Sequence, residues 1–382
     1  MSLTIERVQT DKQLRQFIKV AWDVYRDDPD WVPWLYFERL QFFDKKKNPF
    51  FEHAEADYFI AFRDGRAVGT VAAILNHRHN QFHNENVAHF GVFEVLNDRE
   101  AALALLDTAA EWGRQRGAER LLGPMNLSTN DECGTLIEGF HLPPVLLMTY
   151  NPPYYIDFLE AAGFEKAMDL LAWKIDLAEV SAPGKIPPKV VRVAQKVQER
   201  HNLVVRPVNL KDWDAEVARI KNIYNNAWEK NWGFVPMTNG EIERLAEGLR
   251  PILDPRLIFI CEKQDGEPVG FSLSTPNVNE PLGRARPGPS VLGSYIGAAR
   301  MILNKRKTDW IRVIALGVVQ AYRARGVDAL LYYETAKVAY TAGYKWAEAS
   351  WILETNDMMN RGIELFSGKV YKKYRVYEKR LQ

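Results

Sequence analysis

The feature that most narrows the fold is an internal repeat. Asp64-Gly65-Arg66-Ala67-Val68-Gly69 is echoed far along the chain by Asp265-Gly266-Glu267-Pro268-Val269-Gly270. In both places Asp-Gly sits between apolar, β-branched runs, which is a hairpin signature. Each hairpin precedes a further strand and a long helical pattern ending at a glycine, Arg116-Gly117 in one half and Ala342-Gly343 in the other. Each half then repeats strand, loop, helix, glycine and terminal strand, with FLEAAGFEKAMDLLAWKID matching IELFSGKVYKKYRVYEK. Self-similarity on this scale means one supersecondary unit used twice. The order spelled out is β-α-β-β-β-α-β-α-β. The segment AEVSAPGKIPPKV, rich in Pro and Gly, reads as a linker. The expected division is 1–178, a linker at 179–190, and 191–382.

The 382 residues are enough for two domains, and a hydrophobic fraction of 47% lets each bury a core. Lys plus Arg number 50 against 49 Asp plus Glu, so any anion site must be local, and no broad basic stripe points to nucleic acid. Two cysteines give neither a disulfide framework nor metal spacing, which suits a reducing cytoplasm. The opening MSLTIERVQTDKQL has no apolar core of signal length, and no apolar run is long enough to span a bilayer. The expected location is therefore cytoplasmic.

The stretch Val313 to Tyr340 carries the most chemistry. A β-branched run (Val313, Ile314, Val318, Val319) enters the basic turn Tyr322-Arg323-Ala324-Arg325-Gly326, and a helical pattern starts at Val327. The first amides of a helix have no intrahelical partner and lie at the positive end of its dipole, so such a turn suits phosphate or pyrophosphate. An ordinary strand–turn–helix with a solvated basic turn is the competing reading.

Arg323-Ala324-Arg325-Gly326-Val327 resembles the Arg/Gln-x-x-Gly-x-Gly/Ala turn of GNAT-type acyltransferases. Asp328 stands where that turn has Gly or Ala, and it brings negative charge toward the proposed phosphates. The element order, found twice, resembles the same superfamily over nearly the whole chain. The pattern is also similar to a bacterial group that includes ceramide synthase-type N-acyltransferases. The resemblance implies an α/β (α+β) protein of two tandem GNAT-like domains, each a mixed, mostly antiparallel twisted sheet flanked by helices. It implies acyl-CoA or acetyl-CoA as co-substrate, or an acyl carrier if Asp328 excludes CoA, and no metal. Leu316, Val318, Val319, Arg323, Arg325, Gly326, Val327, Asn356 and Asn360 would hold the donor. Glu354 and Glu348 would serve as base. The tyrosine often used as acid on the last helix is replaced by Phe366, so an acid from the last strand, where Tyr371, Tyr374 and Tyr377 lie, is expected instead, with Tyr374 the choice. The matching turn of the first half, Leu96-Asn97-Asp98-Arg99-Glu100, has no glycine and carries acidic groups. That half is expected to lack a donor site.

The acceptor is expected to be a small-molecule or lipid amine. The polar loops around Asn126, Asn130, Glu132, Tyr150 and Asn151, with Asn231 and Trp232 in the second half, are candidates to face it. Asx turns and loop self-satisfaction explain the same residues as well. An aromatic wall (Trp31, Trp34, Tyr36, Phe37, Phe42, Phe43) reads either as part of an apolar cleft or as packing. His77, His79, His83 and His89 form a polar loop without an acidic or thiol partner for a metal. Val291 to Leu303, followed by Lys305-Arg306-Lys307, would as a helix suit peripheral contact with an anionic inner-membrane surface, or simply pack as an insert. A non-catalytic ligand- or lipid-binding protein built from degenerate GNAT folds is the alternative to an enzyme. The sequence leaves the oligomeric state open.

Overall fold

A computed structural model describes residues 2–182, 184–229, 231–323 and 325–381. In chain order the first elements are β1 (Leu3–Arg7), α1 (Asp11–Val24), α2 (Tyr36–Phe42), β2 (Ala54–Arg63), β3 (Arg66–Asn76), α3 (His77–His83), β4 (Val87–Val95), α4 (Arg99–Arg114), β5 (Arg120–Gly123), β6 (Thr135–Glu138), α5 (Tyr155–Ala161) and β7 (Glu165–Asp176). Then come α6 (Leu177–Val180), α7 (Pro188–His201), β8 (Leu203–Pro207), α8 (Trp213–Ala227), α9 (Asn239–Leu249), β9 (Ile258–Lys263), β10 (Pro268–Pro276), α10 (Asn279–Ala285) and α11 (Val291–Leu303). The last are β11 (Trp310–Val318), α12 (Val327–Thr341), β12 (Trp346–Leu353), α13 (Asp357–Glu364) and β13 (Lys369–Arg380). Each half is the mixed, mostly antiparallel α/β sheet that the repeat implied. None of the described helices is long and apolar enough to cross a membrane.

Two compact units form, and neither is contiguous. Unit 1 holds the residues up to Leu170, Pro281–Met301, and the chain from Lys372 onward; unit 2 holds Leu171–Glu280 and Ile302–Tyr371. This differs from the linear division at 179–190. The reason is that the terminal strands are exchanged. In unit 1 the order is β1-β2-β3-β4-β5-β13, with β6 also paired to β13. Tyr377 to Arg380 run antiparallel to Gly123 to Arg120. In unit 2 the end of β7 lies beside β12, in the order β7-β12-β11-β10-β9-β8. A repeat in sequence shows which strands exist but not which half borrows which.

Local chemistry explains the elements. Thr10 and Gln13 form a reciprocal capping box that starts α1. Asp64 and Gly65 both take positive φ, +50° and +80°, which the tight hairpin between β2 and β3 requires. Strict alternation along β3 feeds two cores. Val71, Ala73 and Leu75 pack with Leu105 and Leu106 of α4, while Ala72 and Ile74 pack with Phe17 and Ile18 of α1. In unit 2, Val327, Leu330 and Leu331 of α12 pack with Ala194 and Val197 of α7 and Phe259 and Cys261 of β9.

Two local expectations differ from the structure, the apolar run Val145 to Tyr150 being expected from sequence as a strand and the histidine run as a loop. Val145 to Tyr150 is irregular, with Leu147 at φ +59°, and the strand of that region is β6 instead. The histidine run is not a loop: Asn76 accepts from the His79 amide at 3.1 Å and caps α3.

Candidate functional site

Unit 2 contains a cleft made by two strands that part. β11 runs parallel to β12 only over Trp310–Val313 against Trp346–Ala349. A register shift between Leu273 and Ser274 of β10 marks where β11 changes course. Past that point the strands enclose a cleft of about 910 Å³, counting its open mouth. Val313, Ala315 and Leu316 line one side, and Ala349, Ser350, Trp351 and Ile352 the other. Tyr332, Thr335 and Ala336 of α12, and Met359 and Ile363 of α13, supply further wall. Most of this wall is apolar. Trp228, at the end of α8, also lines the cleft and packs flat on Gly317; a Cβ at Gly317 would lie 2.6 Å from its ring. Where the two strands still pair, Trp310 lies against Trp346, 5.8 Å between ring centroids, with the Lys174 ammonium 3.6 Å from the Trp346 ring centroid.

One wall of the cleft is α12, whose N-terminus follows the turn after β11. Its cap is Gly326 at φ +86°, and no side chain caps the helix. Leu330 makes the first helical bond back to Gly326, so the amides of Val327, Asp328 and Ala329 have no helical acceptor. A Cβ at Gly326 would sit 2.8 Å from Val197 and 2.9 Å from Val193 of α7. Conformation and space thus both demand glycine there. Val319 donates its amide to Val269 at 3.0 Å and is committed to the sheet. By antiparallel alternation Leu316 and Val318 turn their amides toward the gap.

The two arginines differ. Arg323 donates to the carbonyls of Asn226 (3.1 Å) and Ala227 (2.6 Å), closing the C-terminus of α8. It therefore anchors Trp228 at the cleft. Arg325 is exposed and lies over the Tyr322 ring at 5.2 Å. Ala324 lies outside the described residues. Asp328 is half-buried one turn before Tyr332; burial, then the Asp328 charge, push the Tyr332 hydroxyl above its ordinary range.

Of the expected acid–base groups, Glu348 is fully buried and is not part of the cleft wall. Ser350 donates to its Oε1 at 2.6 Å, and Tyr371 donates to its Oε2. Ser350 does line the cleft, so the carboxylate reaches it through a hydroxyl. Arg312 pairs with Glu348 across the strands and donates to the Ser350 carbonyl at 3.3 Å. Glu354 is half-buried at the end of β12. Tyr374 falls in unit 1, opposite Leu136 in the β6 pairing. The tyrosine brought to the carboxylate is Tyr371, whose ring lies 5.8 Å from Trp310. Side chains of β13 alternate, and only the structure shows where the strand changes units.

Asn356 caps α13 through the Met359 amide (3.2 Å) and lines the cleft. Asn360 accepts from Trp173 (3.1 Å) and donates to the Leu353 carbonyl (3.1 Å), tying α13 to β12 and β7. Asn231 lines the cleft; Trp232 is half-buried outside its wall. Trp228 and Tyr332 escaped sequence reasoning, because each looks like an ordinary helical core position.

The five loop residues of unit 1 are engaged within their own unit. Asn126 accepts from the Val92 amide (2.8 Å) and donates to Glu132 (3.0 Å). Glu132 pairs with the buried Arg39 at 2.6 Å. Asn130 donates its amide to Ser128 in a local turn. Tyr150 donates to Asp28 at 3.0 Å, and Asn151 brackets both backbone groups of Leu136. Nearby, Glu94 is buried and accepts from Tyr25 (2.7 Å) and Tyr155 (3.1 Å); burial pushes its carboxyl up to about 8. Among the described residues no cluster of three or more His, Cys, Asp or Glu is arranged to hold a metal.

Comparison with known proteins gives full-length relatives. The chain is 34% identical to a bacterial ceramide synthase of Caulobacter vibrioides, over 99% of this chain and 98% of that protein. It is 32% identical to protein YghO of Escherichia coli, over 96% and 93%. Among solved structures it resembles a tandem GNAT protein from the clavulanic acid biosynthesis pathway, with TM-score 0.57 and 13% identity, covering 100% of this chain and 99% of that one. No family model matches the chain.

Proposed function

This chain belongs to the GNAT-type acyltransferases with tandem domains, in the family of the bacterial ceramide synthase, and from that premise we propose that unit 2 transfers an acyl group from acyl-CoA to the amine of a lipid-like acceptor. The observation that carries the proposal is the apolar cleft where β11 and β12 part, one wall of which is α12, a helix whose N-terminus carries no side-chain cap. A thioester supplies an activated acyl carbon. The amides of Val327 to Ala329, with Arg325, suit the pyrophosphate, because unpaired amides at the positive end of a dipole and an exposed guanidinium both favour an anion. The amides of Leu316 and Val318 would bind the pantetheine arm and the developing oxyanion.

The base is assigned to Glu348 acting through Ser350. The attacking amine gives its proton to Ser350 Oγ while the serine proton passes to Glu348, 2.6 Å away. Tyr371 holds the other carboxylate oxygen. As the C–N bond forms, the C–S bond breaks and CoA leaves as thiolate. Glu354, just past the end of β12, is the alternative base, and Asn231, which lines the cleft, would meet the acceptor. The apolar wall and the name of the Caulobacter relative support a long acyl chain and a lipidic amine.

The test is a thermal-shift and thiol-release pair with palmitoyl-CoA and acetyl-CoA. A long-chain acyl-CoA is expected to raise Tm, by linkage of binding to folding, and to release thiol only when a long-chain amine is added. Neither donor raising Tm would overturn the donor assignment.

A further inference from the structure

Helix α11 is built with its apolar face outward. Ser294, Gly297 and Met301 are buried. Ser294 Oγ accepts from the Phe37 amide at 3.3 Å, and Gly297 lies against Pro287, where a Cβ would come within 2.8 Å. The opposite side shows Leu292 (72% exposed), Tyr295 (56%), Ile296 (47%) and Leu303 (81%), with Ala299 between them also exposed. Their spacing, i, i+3, i+4, i+7 and i+11, sets them in one stripe along the helix. Exposed apolar residues scattered singly need no explanation, but a continuous stripe does.

Charge says what covers it. From Pro281 to Thr308 the chain has six cationic residues (Arg284, Arg286, Arg300, Lys305, Arg306, Lys307) and no Asp or Glu. The whole chain has net charge +1, so the rest of it carries 1 − 6 = −5. Arg284, Arg300, Arg306 and Lys307 are exposed in this segment, while Arg286 donates to the Asp28 carbonyl at 2.9 Å and Lys305 to the Pro251 carbonyl at 2.7 Å. An apolar stripe bordered by cations only, on a helix too short to span, is the composition of an element lying in a bilayer interface. An acidic protein partner would match the sign of the charge, but would not call for a stripe of exposed Leu and Ile along the full helix. We infer that α11 docks the protein onto an anionic lipid bilayer, with Leu292, Tyr295, Ile296 and Leu303 entering the interface and the flanking arginines and lysines meeting lipid phosphates. The inference stands independently of the acyl-transfer reading.

Flotation of the full chain with phosphatidylcholine vesicles, with and without phosphatidylglycerol, tests it. Binding is expected only with phosphatidylglycerol and is expected to weaken with added salt. L292E/L303E should lower partitioning on the order of tenfold or more, and R306E/K307E by about fivefold per charge removed. Both variants change exposed side chains, so Tm should stay near that of the parent. No flotation of the parent, or equal flotation of parent and L292E/L303E, would overturn the inference. So would a parent dimer in light scattering that L292E/L303E makes monomeric without any vesicle binding, since the stripe would then cover a second copy.

Discussion

The two halves use the same turn in opposite ways. In unit 1, β4 and β5 pair over Val87–His89 and Arg120–Leu122, as β11 and β12 do in unit 2. The gap beyond is filled by the chain itself. Met125 donates to the Phe90 carbonyl at 2.7 Å, Asn126 takes the Val92 amide, and a Cβ on Gly91 would fall 1.7 Å from the Met125 oxygen. The helix mouth is closed as well: Asp98 accepts from the Ala101 amide, and Arg63 grips that carboxylate at 2.6 Å. The Arg63 hydrogen bond holds the Asp98 carboxyl below its ordinary range. In unit 2 the same positions are an open cleft and a bare Gly326. A side-chain cap stabilises by about 1 kcal/mol, so α12 forgoes about that much. The same architecture thus has its donors satisfied internally in unit 1, while the α12 N-terminus of unit 2 carries no side-chain cap.

The comparison can be broken most severely at the carboxylate. Glu348→Gln should lower kcat by about 100-fold or more, the usual contribution of a positioned base, while leaving the acyl-CoA thermal shift in place. Loss of the shift together with activity would make Glu348 structural. Arg325→Ala should weaken acyl-CoA binding by about tenfold or more, as expected for a charge-assisted phosphate contact, with Tm of the free protein unchanged. Arg323→Ala should instead lower Tm, because the last carbonyls of α8 lose their donor.

The pH response separates the halves next. Glu94 has its folded pKa raised to about 8, so its contribution is complete below pH 4.5 and lost as pH rises through 8. His79 and His89 are held below 6.5 by burial, so their contribution is complete above 6.5 and fades as pH falls below it. Glu94→Gln should flatten the alkaline fall of Tm, and His89→Phe the acid fall, with acyl-CoA binding unaffected by either. The smallest effect is expected at Asp98→Ala: about 1 kcal/mol of stability in a urea titration and no change in the acyl-CoA shift. A change in that shift would place donor binding in unit 1.

What could be read from sequence followed local rules. The Asp-Gly hairpins, the helices that become α4 and α12, and the contrast between Asp98 and Gly326 are encoded within a few residues. The illegible parts are non-local. Nothing near Arg323 reveals that it closes α8, and nothing near Tyr371 or Tyr374 reveals that β13 leaves one unit for the other between them. Pro143-Pro144 precede an apolar run that imitates a strand, yet Leu147 at positive φ breaks it. Glu348, Ser350, Ile352 and Glu354 alternate as a strand should, but only tertiary packing decides that Ser350 meets the cleft while Glu348 lies behind it.

Hydrogen exchange with and without a long-chain acyl-CoA tests the central claim most directly, because it reports both helix mouths in one experiment. The expected result is slowed exchange in peptides covering 314–329 and 349–356, with 90–102 and 120–127 unchanged. Protection of 90–102, or equal protection of both mouths, would contradict the assignment of the donor site to unit 2.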